Sequence, residues 1–341
     1  MAPTYAIPDG RVAMAATTYT GTGASLAVAN TVNGVNFQPD FVWVKGRSGA
    51  TDHALYDSVR GTTKDLVSNA TSAETTQATG LTAFGSTGFT VGALAKMNTS
   101  AATYVGWQWK GGGTPVSNTA GSITSSVSAN TTAGFSVVTY TGTGANATVG
   151  HGLGVAPSMV IVKNRGAGNA WDIYTAMTGA NAYLSFTTAA VASGLFPSVA
   201  TSTVFSITGG AGGQGASGGT YVAYCFAPVS GYSAFGSYTG NGSADGPFVY
   251  TGFRPRFVLI KRTSAAQSWQ LHDTSRNPYN SADSYLSSNA ANAEAADVVP
   301  ALDILSNGFK VKTSNITWNG SGDTYIYACF AENPFKFANA R

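Results

Sequence analysis

Pro39-Asp-Phe-Val-Trp-Val-Lys45 returns as Pro157-Ser-Met-Val-Ile-Val-Lys163 and again as Pro255-Arg-Phe-Val-Leu-Ile-Lys261. Eight residues past each lysine begins a second shared pattern: His53-Ala-Leu-Tyr-Asp57, Trp171-Asp-Ile-Tyr-Thr175 and Trp269-Gln-Leu-His-Asp273. Each unit closes on a third, as Thr103-Tyr-Val-Gly-Trp-Gln-Trp109, Thr220-Tyr-Val-Ala-Tyr-Cys-Phe226 and Thr324-Tyr-Ile-Tyr-Ala-Cys-Phe330. A unit of roughly 100 residues can bury a core of its own, so the pattern marks repeated domains and not solenoid rungs. A residue kept in all three copies serves the fold. One that appears once is free to serve something else.

The shared segments are short, β-branched and aromatic, and the first of them is led by proline, the signature of a central strand entered from a turn. Gly88-Phe-Thr-Val91, Val204-Phe-Ser-Ile207 and Gly308-Phe-Lys-Val311 add another strand, with Phe89, Phe205 and Phe309 at one core position. Many strands separated by Gly, Asn and Ser turns predict an all-β chain of three tandem β-sandwich domains, jelly-roll or lectin-like in topology. Helix is expected only at 290–297 and 71–79. The boundaries read as an arm at 1–15, domain one at 16–112, a Gly/Ser/Thr-rich connector at 113–133, domain two at 134–229 and domain three, with a tail, at 230–341. The short link between the last two predicts a tight pair, with the first unit on a longer tether that Ile123, Val127 and Phe135 allow to dock.

Only 10% of the 341 residues are charged, and Gly (42 residues), Ala, Ser and Thr fill their place. Solubility normally rests on surface charge, so such a surface predicts burial between copies in a closed homo-oligomer. A net charge of +3 without a basic stripe argues against nucleic acid. No stretch reaches the ~18 apolar residues of a membrane span. The first residues lack a basic-then-apolar export pattern, and Cys225 and Cys329, at equivalent positions, read as buried free thiols of a protein assembled in a reducing cytoplasm.

Catalytic signals are sparse. His53 and His272 stand where other repeats have aromatic rings, and His151 lies free in a glycine turn. No spacing suggests a metal centre, a cofactor or a catalytic set. The glycine-rich 209–219 segment lacks the Lys-Ser/Thr and helix of a phosphate loop and reads as a flexible hairpin tip. Asp57-x-x-Arg60 and Asp273-x-x-Arg276 suit turn-stabilising ion pairs, with a ligand-gripping pair as the alternative, and Lys45, Lys163 and Lys261, kept in all three copies, suit an architectural or edge-blunting role. The third repeat inserts residues at Arg276-Asn-Pro-Tyr-Asn280. There Arg276, Asn277, Tyr279 and Asn280 offer a stacking ring and directional donors for a receptor glycan.

Ser237-Tyr-Thr-Gly-Asn-Gly-Ser-Ala-Asp-Gly-Pro-Phe, Tyr250-Thr-Gly-Phe-Arg-Pro and the closing Phe330-Ala-Glu-Asn-Pro-Phe-Lys-Phe-Ala-Asn-Ala-Arg resemble an uncharacterised repeat-domain family of tailed-bacteriophage virion proteins. The resemblance implies a non-enzymatic structural protein on the virion surface, a tail fibre or tail-tip adhesin that contacts other virion proteins and a host glycan. A capsid decoration or head-fibre protein is the alternative, and a glycan depolymerase the third. Trimers are usual among the fibres it resembles, and the arm at 1–15 would be the attachment point.

Overall fold

The fold is described by a computed structural model covering residues 6–210, 213–296 and 301–333. After a 3-10 turn at Gly10–Val12 the first repeat forms β1 (Met14–Thr20), β2 (Leu26–Ala29), β3 (Phe41–Gly46), β4 (Ala54–Asp57), β5 (Lys64–Asp65), β6 (Thr75–Thr76), β7 (Leu81–Gly85), β8 (Gly88–Val91), α1 (Ala95–Asn98) and β9 (Thr103–Trp109). The second forms β10 (Val116–Asn118), β11 (Ser125–Asn130), β12 (Phe135–Thr141), β13 (Ala147–Gly150), β14 (Met159–Asn164), β15 (Asp172–Thr175), β16 (Ala182–Tyr183), β17 (Ala192–Ser193), β18 (Val204–Ile207) and β19 (Thr220–Phe226). The third forms β20 (Ser233–Thr239), β21 (Phe248–Tyr250), β22 (Arg254–Arg262), β23 (Gln270–Asp273), β24 (Ser284–Tyr285), β25 (Ala295–Ala296), β26 (Leu302–Leu305), β27 (Gly308–Val311), α2 (Ile316–Asn319) and β28 (Thr324–Asn333).

The chain is all-β and antiparallel. The inner sheets run β1-β9-β3-β4, β12-β19-β14-β15 and β20-β28-β22-β23, and the outer ones β2-β8-β7, β13-β18 and β21-β27-β26. The segment 113–133 is no free connector, because β10 and β11 extend the second inner sheet beyond β12. The Pro-led strands are apolar on both faces because both are covered. Val42 and Val44 pack toward the outer sheet with the buried Phe89, while Phe41 and Trp43 join a second core on the other side. Phe205 and Phe309 are buried at positions matching Phe89, as expected.

That second core joins the repeats. The last aromatic of each closing strand, Trp109, Phe226 and Phe330, stands at one corner of a triangle with centroid separations of 6.0, 5.6 and 5.7 Å. Equivalent residues at the corners of a near-equilateral triangle define a pseudo-threefold axis inside one chain. Along it Phe41, Met159 and Phe257, then Trp43, Ile161 and Leu259, enclose a wholly apolar cavity of ≈ 20 Å³. With no polar partner for a water, such a space stays dry. Further along, Phe186 lies against Trp43, Trp171 and Trp269, and its counterparts Ser68 and Ser288 hydrogen-bond to each other.

The seams between repeats are cyclic. Lys45 donates to the carbonyl of Ala291 in the third repeat, Lys163 to that of Thr71 in the first and Lys261 to that of Thr188 in the second. The aromatic slot repeats the cycle: His53 donates to Ser287, Trp171 to Val67 and Trp269 to Ser185. All three lysines are fully buried, and burial pulls their ammonium groups down to about 8. They sit on interior strands and satisfy the neighbour's backbone, which meets the architectural expectation and corrects the edge-blunting one.

Other expectations are corrected by the same closure. The first repeat is not tethered apart, since it touches both others. The described part of the N-terminal arm belongs to the fold, with Ile7, Ala13 and Met14 in the shared core. Residues 71–79 and the described part of 290–297 are loop and short strand, because these segments present backbone to the neighbour's lysine; among the described residues α-helix forms only at α1 and α2. The tail after Asn333 lies outside the described residues.

Two seams also carry an ionic cluster. In the first, Glu74 bridges Arg60 of its own repeat and Arg165 of the second, at 3.0 and 2.9 Å, and Asp57 pairs with Arg60 while accepting from Tyr224. In the other, Glu294 bridges Arg276 and Arg47 of the first repeat, and Asp273 pairs with Arg276 while accepting from Trp107. The third seam places Thr175, Thr178, Val191, Thr263 and Ala328 at the matching positions. Removing one member of a buried ion pair strands its partner, so Arg60→Ala should cost about 3–5 kcal/mol. Thr178→Ala at the neutral seam should cost about 1 kcal/mol or less. Urea unfolding of the two variants measures the difference, and equal losses would show that the clusters are not what holds the seams.

Candidate functional site

The four residues singled out at the third-repeat insertion do not form one site. Arg276 is buried, bonded to Asp273 and Glu294, with its guanidinium 5.7 Å from the Trp107 ring centroid. Burial pushes the Glu294 carboxyl up, but Arg47 and Arg276 outweigh it and hold the group below its ordinary range. Asn277 accepts the Ser284 backbone N–H. The Asn280 amide pairs with both backbone groups of Ile304, at 3.0 and 2.8 Å, like one more rung on the edge strand β26. Tyr279 and Asn280 are exposed, Tyr279 at 83% and engaged in no such backbone pairing.

The histidines are structural. His53 Nδ1 accepts from Trp43 at 2.8 Å, and His272 Nε2 accepts from Trp318 at 3.1 Å. Each donates its other ring N–H to a carbonyl, of Ser287 and Ala282 respectively, which fixes the neutral tautomers. Burial depresses both to about 3. His151 is not free as expected: it accepts from Leu153 N, donates to Thr201 and is buried. Cys225 and Cys329 are buried free thiols, Cys225 pushed up to about 12 by burial. Among the described residues no group of three His, Cys, Asp or Glu could hold a metal.

A different surface stands out once the repeats are superposed by their strand pairing. Val28, Val149 and Val249 pair with the conserved phenylalanines on β8, β18 and β27, so their flanking positions correspond. The first repeat has Ala27 and Ala29 there, the second Thr148 and Gly150, and the third Phe248 and Tyr250. Alternation along β21 turns Val249 into the core and both rings outward, where they are 45% and 66% exposed. Lys310, cross-strand from Phe248, is tied to Asp245 at 2.7 Å and donates to Gly246, placing polar groups beside the rings. Tyr279 stands by β26, the opposite edge of the same outer sheet, through its neighbour Asn280. The third repeat thus carries three exposed rings with no counterpart in the others. Their signal in the sequence is the departure from Ala27 and Ala29, which only the strand register exposes.

A family model, described as a domain of unknown function (DUF7483), matches residues 12–334. The chain belongs to that family. No curated protein and no solved structure matches it significantly. The match spans all three repeats.

The neutral histidines set the acid response. Unfolded imidazoles take up protons near pH 6.5 while His53 and His272 resist until about 3, so stability should fall as pH drops below 6.5, by up to about 1.4 kcal/mol per pH unit for each. His53→Trp, which installs the residue found at this slot in the other repeats, should flatten that limb. Melting temperatures from pH 7 to pH 4 report it.

Proposed function

We propose that this chain is a non-enzymatic structural protein of a tailed-phage virion, a tail fibre or tail-tip adhesin whose third repeat presents the Phe248–Tyr250 face to a host surface glycan. The carrying observation is that pair of exposed rings at positions where the fold is content with Ala, Thr or Gly. Flat apolar rings flanked by charged groups suit the mixed C–H and hydroxyl faces of a sugar. The carboxylates of Asp57, Glu74, Asp273 and Glu294 are held by arginines, and the histidines are engaged in the core, which favours binding over a depolymerase.

We read each repeat as a jelly-roll-like sandwich, since the first strand pairs with the last and the second with the penultimate. The burial between copies expected from the charge-poor composition, as a homotrimer by the resemblance to phage fibres, has a counterpart within one chain, where repeats bury one another's apolar faces. A capsid decoration or head-fibre protein is the second reading, because the same outer face would serve a shell-bound binder. Other virion proteins remain the proposed partners, with assembly in the host cytoplasm and exposure on the particle.

Labelled antibody on intact particles should place the protein at the tail, in tens of copies or fewer. The double variant Phe248→Ala/Tyr250→Ala, folded and with wild-type melting, should lose about tenfold or more of its host-cell binding. Undiminished binding would remove the face from the adhesin reading, and hundreds of copies on the capsid would favour the decoration protein.

A further inference from the structure

The second repeat carries a polar pair that the fold does not require. Asp172 corresponds to Ala54 in the first repeat and Gln270 in the third. Its neighbour across the sandwich is Gln214, at the slot filled by Met97 and Trp318. That slot is recognisable because a tyrosine hydroxyl on the first inner strand donates to its carbonyl in each repeat, from Tyr19, Tyr140 and Tyr238. Acid and amide therefore appear together where the first repeat packs alanine and methionine.

The glycine-rich segment once expected to be a flexible tip is what brings Gln214 in. Gly213, Gln214 and Gly215 are buried, and Gln214 Oε1 accepts from Thr208 N at 3.1 Å. Gln214 Nε2 is fully buried and turned to Asp172, whose carboxylate it favours as a hydrogen-bond donor. Asp172 also lines a cavity of ≈ 250 Å³, together with Asn169, Tyr183, Ser185, Ser193 and Leu195. Burial lifts the Asp172 carboxyl to about 7 against the opposing pull of Lys163 and Gln214; the other titratable groups nearby are Tyr140 and Tyr221, whose hydroxyls donate to the Gln214 and Gly213 carbonyls. Lys163 Nζ has four carbonyl oxygens within 2.8–3.3 Å, including that of Asn169, and these take up its three N–H donors, leaving none for Asp172.

We propose that this cavity is a binding site for a protonated amino sugar, its ammonium on Asp172 and its hydroxyls on Asn169, Ser185 and Ser193, with Tyr183 against the ring. A carboxylate in a recess calls for a cation, and the recess has room for a single small ring. One carboxylate with neutral hydroxyls falls short of the six to eight oxygens a calcium ion takes, whereas an ammonium needs three acceptors. The site lies on a different repeat from the Phe248–Tyr250 face and stands independently of it.

The test uses the full chain and ligand-observed NMR with calorimetry, with methyl glucosaminide, its N-acetyl counterpart and calcium chloride as probes at pH 7.5. The amine should bind, and the N-acetyl form should bind at least tenfold more weakly. Asp172→Asn should weaken the amine at least tenfold while melting at or above the wild-type temperature, since it removes a carboxylate whose ionisation opposes folding. Wild-type affinity should drop as pH falls from 7.5 to 5.5, and that of Asp172→Asn should not. Equal binding by Asp172→Asn, no binding of the amine, or a response to calcium alone would each overturn the proposal. Phe248→Ala/Tyr250→Ala should leave amine binding unchanged, which separates a failure here from a failure of the adhesin face.

Discussion

Edge-to-face packing of Trp109, Phe226 and Phe330 is the contact from which the rest follows. Each repeat has one inner-sheet face too apolar to meet water, and one such face cannot cover another symmetrically while leaving a third exposed. Three closing on an axis cover all. Fully burying a large apolar side chain is worth about 1.5–3 kcal/mol, and aromatic pairs add about 0.5–1.5 each, so the axial stack outweighs any single seam contact. The buried lysines add specificity to that general attraction. An ammonium is costly to bury without acceptors, and one of the acceptors of each lysine belongs to the next repeat. Closure in the right order is what completes them.

The two ionic seams show a concerted pattern legible within one chain. Where Asp57 and Arg60 occur, the facing repeat supplies the hydroxyl of Tyr224 and the guanidinium of Arg165. Where Asp273 and Arg276 occur, it supplies Trp107 and Arg47. Where the second repeat has Thr175 and Thr178, the facing positions have become Ala328 and Thr263, and the bridging glutamate has become Val191. Absence of the charges on one side of that seam goes with their absence on the other, as the cost of a stranded buried charge demands.

Much of the fold could be read from the chain. The Pro-led strands, the closing aromatic strands and the Phe89, Phe205 and Phe309 layer fall where the repeats put them, and the Asp–x–x–Arg pairs do stabilise turns. The ring itself was not legible, because its polar links run from a side chain to a backbone carbonyl, and a carbonyl leaves no mark in a sequence. The same fact misled the reading of 290–297: an alanine-rich run has helical propensity, but Ala291 is held extended between Lys45 and the Thr51 amide. At the insertion, Arg276 looked available for recognition although its counterpart Arg60 already hinted at a structural duty. Phe248 and Tyr250 escaped notice because the outer strands are short and weakly patterned, so their register with Ala27 and Ala29 emerges only from the pairing.

A homotrimer writes every substitution three times, so a ring on one surface appears on all three and a change at one interface must suit every interface. Three repeats on one chain are released from that rule. The outer face of the third repeat could gain aromatics while its siblings kept alanine or glycine, and one seam could go neutral while two kept their charges. Covalent linkage thus turns a symmetric scaffold into one with a front, a back and a distinguishable join. The molecule keeps the packing advantage of threefold closure while each third evolves separately.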